Sequence, residues 1–292
     1  MKNFILHSIS ILILFILILY VSDFAYTFIY QNSKPRNKLQ YILKVENQDY
    51  DLVFLGSSRV ANHIDTKIFD TLSSRKTINL GVLGASLNDN LLELKLLVHS
   101  NRIKNLVLQL DDSYQRTNST TMVTAGAVPF LRNDIIKEHI KDNLDNFNKL
   151  YYLPYYRYAV NAHKIGFRES FFSLINRKPK IDPKIGYYPM YGNNLEQPLS
   201  LPKELVGKNP VFDKIADLCE EHNINLIMFV APYCSSIKNI EYIDKLKQRC
   251  PEVIDFSRGY ADDLFYNCGH LNHKGAQKFT KDLFLRINAM LK

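Results

Sequence analysis

The chain has 292 residues, of which 46% are hydrophobic and 23% are charged. This length suits one sizeable domain with an appendage or two small domains, and the composition excludes a disordered or fibrous protein. The formal net charge of +8 suits attraction to anionic lipids or polymers, although a merely solvated surface accounts for it equally well. No helix-turn-helix, zinc-ligand or ribonucleoprotein-type pattern occurs in the sequence, so nucleic acid is not favoured as a partner. The densest cationic stretch contains Arg177, Lys178, Lys180 and Lys184.

The first thirty residues differ in kind from the rest of the chain. Positions 4–22 contain no charged residue, and at 1.5 Å per residue the apolar stretch can cross a hydrocarbon core of about 30 Å. A cleaved signal peptide is the alternative, but the residues that follow form only a weak cleavage site. Tyr20, Tyr26 and Tyr30 are typical of anchors at a membrane interface. The sequence therefore predicts a retained single transmembrane anchor over 1–30 and a short, polar tether over 31–48.

Short, continuously apolar runs recur after the tether. Unbroken apolarity over about five residues, bounded by turns, is typical of a strand that is buried on both faces of a parallel sheet. These runs are 51–55, 77–80, 106–110, 224–230 and 253–254. Helical patterns alternate with them, over about 65–73, 88–99, 210–222, 237–249 and 273–291. The alternation predicts an α/β domain over 49–292, with a parallel sheet, helices on both faces and right-handed crossovers.

Residues 113–205 interrupt this alternation. They show no strand-like rhythm and are rich in Tyr, Phe, Asn and Pro, as in 151–156 and 186–191. A connection of this length is either functional or a subdomain. We interpret it as a Tyr-rich insertion that covers the carboxyl ends of the strands, where open α/β sheets bind ligands. Its aromatic side chains could stack on sugar rings, or they could simply form the small core of a lid.

Three loops that follow predicted strands contain residues able to do chemistry. In Gly56-Ser57-Ser58, a serine in the turn after a buried strand has its hydroxyl at the ligand-binding edge, near backbone N–H groups that can hold an oxyanion. In the second loop, Gly84 lets the backbone approach a substrate and point an N–H at it. In the third, His270 precedes the last helix and can act as a general base towards a serine. Taken singly, each loop is also compatible with a structural turn or cap.

Together these loops resemble those of the SGNH/GDSL hydrolase family, over about 50–290 apart from the insertion. Gly56-Ser57-Ser58 stands where the family has Gly-Asp-Ser, so the resemblance makes Ser58 the nucleophile. Gly84 corresponds to the glycine whose N–H joins that of Ser58 in the oxyanion hole, and His270 to the histidine of the terminal Asp-x-x-His block. The run His-Leu-Asn-x-x-Gly-Ala is common in membrane-anchored members that act on cell-envelope glycans. The resemblance implies a flavodoxin-like sheet and no metal or organic cofactor.

Two positions depart from the family's pattern. The family's third block supplies an asparagine that donates to the oxyanion, whereas here the strand is followed by Asp111 and Asp112. An ionised Asp cannot donate and would repel an oxyanion, although many anchored relatives also lack that asparagine. The acid that would orient His270 is replaced by Asn267, which can accept a hydrogen bond from the imidazole but supplies no charge to stabilise imidazolium. A Ser–His dyad, with a backbone carbonyl in the orienting role, is then expected to suffice.

The sequence thus predicts a membrane-anchored O-acyl esterase or O-acetyltransferase that acts on a cell-envelope polysaccharide through Ser58 and His270. The alternative is a catalytically inactive glycan-binding or assembly protein that kept the fold but lost the acid. A lipase-like enzyme acting on membrane lipids is compatible with the anchor but has no motif of its own.

The orientation of the domain has evidence on both sides. An envelope glycan lies outside the cytoplasm, so the resemblance implies a periplasmic or extracellular domain. The flanking charges favour the opposite orientation, because Lys2 precedes the anchor whereas Lys34, Arg36 and Lys38 follow it. We expect the exterior location.

The four cysteines form no CxxC pair, so a zinc or thioredoxin-type site is not indicated. Cys234 follows the strand 224–230 and Cys268 lies two residues before His270, so both are expected where the parallel strands end. If the domain is outside the cytoplasm, a disulfide between them would pin the histidine loop. Cys219 shares a predicted helix face with apolar residues, which is typical of a core position.

Overall fold

The computed structural model describes residues 1–116, 118–196, 199–205 and 207–292. They fall into two units that we describe separately. The anchor unit comprises Met1–Arg36 and Thr124–Lys178, and the sheet unit comprises Asn37–Val123 and Pro179–Lys292. The predicted insertion is therefore divided between the two units.

In the described part of the sheet unit, five parallel strands form a sheet in the order β2-β1-β3-β4-β5. The strands are β1 Asp49–Leu55, β2 Thr77–Asn79, β3 Arg102–Gln109, β4 Asn225–Val230 and β5 Ile254–Asp255. In the register, Phe54 of β1 is paired with Asn79 of β2 and with Val107 of β3. This order is common in doubly wound sheets, in which ligands bind at the edge where the parallel strands end. The prediction of an α/β fold with a parallel sheet is confirmed, and we call this edge the carboxyl edge.

Helices flank the sheet. In chain order, the helices of the described residues are α1 Lys2–Asn32, α2 Lys38–Ile42, α3 Ser58–His63, α4 Thr66–Ser73, α5 Leu87–Ser100, α6 Thr121–Ala127, α7 Asp134–Asn143, α8 Phe147–Tyr152, α9 Tyr156–Val160, α10 Ala162–Ile165, α11 Phe167–Leu174, α12 Pro210–Glu221, α13 Glu241–Arg249 and α14 His273–Ile287. Leu52 and Phe54 share a core with α3, α4 and α14, whereas Val53 and Leu55, equally buried, point to the opposite face. Burial on both faces explains the continuous apolar runs.

The helix α1 matches the predicted anchor in position and length. Its most apolar window has a mean hydropathy of 2.8 and contains no buried residue. At 31 residues, the helix is long and apolar enough to cross a membrane.

The last turns of α1 pack against residues 124–178. The sequence analysis predicted that these residues belong to an insertion that covers the carboxyl ends of the strands. Tyr30 is buried, stacks on Tyr158 and donates a hydrogen bond to the carbonyl of Ile165 at 3.0 Å. Tyr26 contacts the ring of Tyr158 as well. Tyr20, Tyr26 and Tyr30 were all predicted to anchor the helix at a membrane interface, but Tyr30 is buried inside the anchor unit and Tyr26 is partly buried there, whereas Tyr20 is exposed.

The predicted tether contains a packed helix. In α2, Leu39 and Ile42 are three residues apart and both buried, and α2 packs against α5. Asn37 caps this helix by accepting a hydrogen bond from the N–H of Gln40. Residues 38–42 thus belong to the sheet unit, because their apolar spacing buries one helical face.

Candidate active site

The turn after β1 puts Ser58 at the carboxyl edge of the sheet. A Cβ on Gly56 would approach Val60 and Gln109 to less than 3.0 Å, so this turn requires glycine. The chain passes directly from Gly56 into α3, of which Ser58 is the first residue. The N–H groups of a first helical turn have no partners in the helix's own ladder, so the N–H of Ser58 is suited to a ligand.

Ser57 and Ser58 have different environments. Ser57 is buried, and its N–H and hydroxyl both donate to Oε1 of Gln109, at 2.8 and 2.9 Å. Its Oγ also caps α3 by accepting a hydrogen bond from the N–H of Arg59. Ser58 is only partly buried. Because the hydroxyl of Ser57 is occupied structurally, Ser58 is the serine of this pair that can meet a substrate.

The structure brings Ser58 and His270 together across 212 residues of sequence. Ser58 Oγ lies 2.8 Å from His270 Nε2, within hydrogen-bond distance. On the other side of the imidazole ring, Nδ1 lies 2.9 Å from Oδ1 of Asn267. Ser58, His270 and Asn267 therefore form a continuous hydrogen-bonded chain, with geometry suited to a nucleophile, its base and an orienting group.

The neighbouring backbone fixes the direction of these hydrogen bonds. The N–H of Gly269, which can only donate, points at Oδ1 of Asn267 at 3.1 Å. That oxygen can only accept, so Nδ1 of His270 must be the protonated ring nitrogen. Nε2 then presents its lone pair to the hydroxyl of Ser58. The sequence left two candidates for orienting His270, the side chain of Asn267 and a backbone carbonyl, and in the structure the Asn267 side chain occupies that position.

A short antiparallel hairpin holds the histidine. It consists of β6 Phe265–Asn267 and β7 His270–Leu271, with Asn267 paired to His270. His270 therefore lies on a strand, and the last helix begins three residues later with Asn272 as its cap.

A disulfide ties this hairpin to the loop after β4. Cys234 and Cys268 are bonded, with their Cα atoms 4.7 Å apart, so the predicted pairing is confirmed. The N–H of Cys234 also donates to the carbonyl of Cys268 at 3.2 Å. Cys219, predicted to be a core residue, is a free buried cysteine, as is Cys250.

His63 was missed by the sequence reasoning. It is fully buried at the end of α3, and its Nε2 accepts a hydrogen bond from the N–H of Leu271 at 3.0 Å. Burial, and then the positive charge of Arg59, lower the pKa of His63 well below its usual value. The ring therefore stays neutral and keeps its acceptor nitrogen. His63 thus fixes the strand of His270 against the helix of Ser58.

Asp111, the first of the two acidic residues that follow β3, is paired with a cation in the structure. Asp111 is buried and accepts a hydrogen bond from Nη1 of Arg59 at 2.6 Å. Nε2 of Gln109 donates to the same carboxylate. Burial alone would raise the pKa of Asp111, but the charge of Arg59 and these hydrogen bonds lower it below its usual value. Arg59 also lies 3.6 Å from the ring centre of Tyr233.

The same arginine affects the candidate base. Burial first, and then the charge of Arg59, lower the pKa of His270 to about 4. His270 is therefore neutral at ordinary pH, which is the form that a general base needs. The same burial and charge make its imidazolium form costly, and Asn267, which faces Nδ1, offers no negative charge to offset this.

Gly84 occupies the loop after β2. It lies in the turn from Val82 to Ala85 with φ of 75°, a conformation that favours glycine, and a Cβ there would meet no atom within 4 Å. The loop is fixed by Asn79, whose Oδ1 accepts from the N–H of Gly81 at 3.0 Å. The role of Gly84 in an oxyanion hole stays a prediction.

Asn79 connects this glycine loop to α3, and Lys38 supports the connection. Nδ2 of Asn79 donates to the carbonyls of Val60 and Ile64, at 2.8 and 2.9 Å. The buried Lys38 donates to the carbonyl of Gly81 and to Oδ1 of Asn79. Neither residue was identified from the sequence.

Part of the predicted insertion covers the histidine loop. Tyr187 is hydrogen-bonded to Nδ1 of His273 at 2.9 Å, and the N–H of His273 donates to the carbonyl of Met190. The ring of Tyr191 lies 5.3 Å from that of His273 and remains exposed. Within the sheet unit, aromatic rings of 186–191 therefore pack against the first residue of α14, three positions after His270.

Among the described residues, no group of three His, Cys, Asp or Glu side chains is placed to hold a metal ion. No protein-family model matches this chain, and no curated protein matches its sequence.

Proposed function

We propose that this chain is a membrane-anchored serine O-acyl esterase or O-acetyltransferase of the SGNH/GDSL type, acting on a cell-envelope polysaccharide. The single observation that supports it most is the 2.8 Å contact between Ser58 Oγ and His270 Nε2 at the carboxyl edge. A parallel sheet with this strand order binds ligands at that edge, and the protonation of the ring leaves Nε2 free to take a proton.

In the proposed reaction, Ser58 Oγ attacks the acyl carbonyl while His270 Nε2 accepts the hydroxyl proton. The N–H groups of Ser58 and Gly84 stabilise the oxyanion of the tetrahedral intermediate. The C–O bond to the sugar then breaks, and His270 returns its proton to the departing sugar oxygen. Water or a second sugar hydroxyl then attacks the acyl carbon while His270 accepts its proton. The bond from the acyl carbon to Ser58 Oγ breaks, and His270 returns the proton to that oxygen.

Asn267 performs one of the two tasks of a triad acid. Its Oδ1 orients the ring of His270 and selects the tautomer. It contributes no negative charge, so the imidazolium that forms during the reaction is stabilised less than in a full triad. We therefore expect a slow enzyme.

The disulfide supports a location outside the cytoplasm. Disulfides persist in oxidising compartments and are rare in the reducing cytosol. The pairing of Cys234 with Cys268 thus agrees with a periplasmic or extracellular sheet unit, against the count of basic residues on either side of α1.

An inactive glycan-binding or assembly protein is the second candidate. It is favoured by the amide at position 267 and by the pKa of His270, about 4, which together describe a weak base. Labelling by a fluorophosphonate, which reacts with activated serines, distinguishes the two proposals.

The test compares Ser58→Ala with Ser57→Ala in the full-length chain, using a fluorophosphonate probe. We expect the wild type to be labelled and Ser58→Ala to lose all labelling. Ser57→Ala should keep labelling, although losing the cap of α3 lowers stability by about 1 kcal/mol. Label that survives Ser58→Ala but disappears in a folded Ser57→Ala variant contradicts the assignment. A folded wild type that is never labelled favours the binding protein.

A further inference from the structure

Helix α11 of the anchor unit has its apolar side chains on the outside. Phe167, Phe171 and Leu174 follow the i, i+4, i+7 spacing of one helical face, and their exposed fractions are 76%, 46% and 60%. The residues that α11 buries are Ser170 and Ser173. A helix that faces water on one side shows the opposite arrangement, with its polar face outward. Water is therefore not the environment that this face suits.

The buried face of α11 packs against α1, the candidate membrane span. Tyr30 of α1 donates to the carbonyl of Ile165 just before α11, and Arg36 after α1 forms an ion pair with Glu169 at 2.5 Å. Small side chains such as the two buried serines allow close approach of helices, as they do between helices inside membranes. The exposed apolar face of α11 is thus held beside the chain's own membrane helix.

The end of the apolar stretch of α1 lies next to α9. Positions 4–22 rise about 28 Å at 1.5 Å per residue, roughly the thickness of a hydrocarbon core. Asp23 follows directly, forms an ion pair with Arg157 and accepts a hydrogen bond from the N–H of Tyr155 at 2.9 Å. These contacts fix α9 at the level where α1 leaves the hydrocarbon.

We propose that this face of the anchor unit lies in the interfacial layer of the membrane that α1 crosses. Three more exposed apolar side chains lie at or just after the ends of α8 and α9, namely Tyr152, Leu153 and Val160. Three exposed basic residues lie on α11 or shortly after it in the sequence, namely Arg168, Arg177 and Lys178. Phe and Leu on one side with Lys and Arg nearby is the composition of helices that bind in the plane of an anionic lipid surface.

The chain contains no tryptophan, so Phe171→Trp provides a single fluorophore on this face. The full-length variant is reconstituted into vesicles of phosphatidylethanolamine and phosphatidylglycerol, with and without brominated phosphatidylcholine. We expect blue-shifted emission that loses most of its intensity with the brominated lipid and resists aqueous acrylamide. Leu285→Trp, an exposed apolar position on α14 of the sheet unit, is the matched control and should be quenched by acrylamide.

Quenching of Phe171→Trp by acrylamide alone would overturn the proposal, because the face would then be in water. Protection from both quenchers would also overturn it, because protein, such as a second copy of this chain, would cover the face. If Phe171→Trp fails to fold, Phe167→Trp gives the same readings, since that side chain is the most exposed of the three.

Discussion

The replacement Asn267→Asp changes a single atom type in the candidate site, from amide nitrogen to carboxylate oxygen. Oδ1 of Asn267 lies 2.9 Å from Nδ1 of His270 and is already held by the N–H of Gly269. The carboxylate should therefore occupy the place of the amide without rearrangement. The variant adds the negative charge that faces imidazolium in a full triad.

The magnitude follows from the geometry. Two unit charges whose centres are about 4 Å apart interact by about 4 kcal/mol at an effective dielectric constant of about 20, which is about three pKa units. The pKa of His270 should rise from about 4 to about 7. An interaction of this size limits the rate gain to about a thousandfold, and partial charge development reduces it to roughly 10- to 100-fold. In serine proteases the reverse change lowers turnover about ten-thousandfold, partly through the wrong tautomer, which Asn267 already avoids.

The assay is the pH dependence of kcat/KM on an activated acyl ester, measured for wild type and variant. A neutral base loses activity as the pH falls through its pKa. The wild type should therefore keep its activity down to about pH 4, whereas Asn267→Asp should be faster at alkaline pH and lose activity below about pH 7. Asn267→Ala is the control, and it should be slower than the wild type because it loses the orienting acceptor.

An unchanged acid limb in Asn267→Asp would refute the reasoning, because His270 would then not be the titrating base. A variant that folds but loses activity at every pH would refute it as well. A wild type and variant that are equally inert to substrate and to a fluorophosphonate would favour the glycan-binding protein.

Two further predictions concern stability. Asp111→Asn leaves Arg59 buried beside a neutral partner and should lower the free energy of unfolding in urea by about 3–5 kcal/mol. The control Asp282→Asn changes a more exposed carboxylate and should lower it by less than about 1 kcal/mol. Equal losses of stability in the two variants would contradict a buried ion pair. Replacing both Cys234 and Cys268 by serine removes a disulfide between residues 34 positions apart, and it should lower the free energy of unfolding by roughly 2–4 kcal/mol. A variant as stable as the oxidised wild type would contradict the pairing.

The parts of the site that sequence could predict lie directly after strands. Ser58 follows β1, and the carboxyl ends of parallel strands meet at one edge, so its convergence with the final histidine loop was foreseeable. The pairing of Asn267 with His270 is local, since the two residues are only three positions apart in the sequence. Only the geometry of the hairpin shows that the acceptor for Nδ1 of His270 is a side chain and not a backbone carbonyl.

The residues that support the site were not predictable in the same way. The hydrogen bond of His63 to Leu271 spans 208 residues, and nothing in the apolar rhythm of α3 distinguishes this histidine. The pair of Arg59 and Asp111 could have been found by combining two facts, that β1 and β3 are neighbours and that each residue follows one of these strands.

The anchor unit shows where apolar patterns fail. Residues 124–178 have helical stretches too short to reveal their partner, and the contacts that place them on α1 are individual ones such as Asp23 with Arg157. A sequence pattern gives the face of a helix but not the surface that it meets. The insertion was therefore assigned wholly to the sheet, although much of it packs against α1.

The buried amine of Lys38 determines where a water-soluble form of the sheet unit should begin. A chain cut at Asp49, after the whole predicted tether, would discard Lys38, whose charge partly offsets the rise that burial causes in the pKa of the completely buried Glu93. It would also release the carbonyl of Gly81, and so loosen the loop that leads to Gly84. A chain cut at Asn37 retains these contacts, so detaching the sheet unit from its membrane helix requires keeping α2.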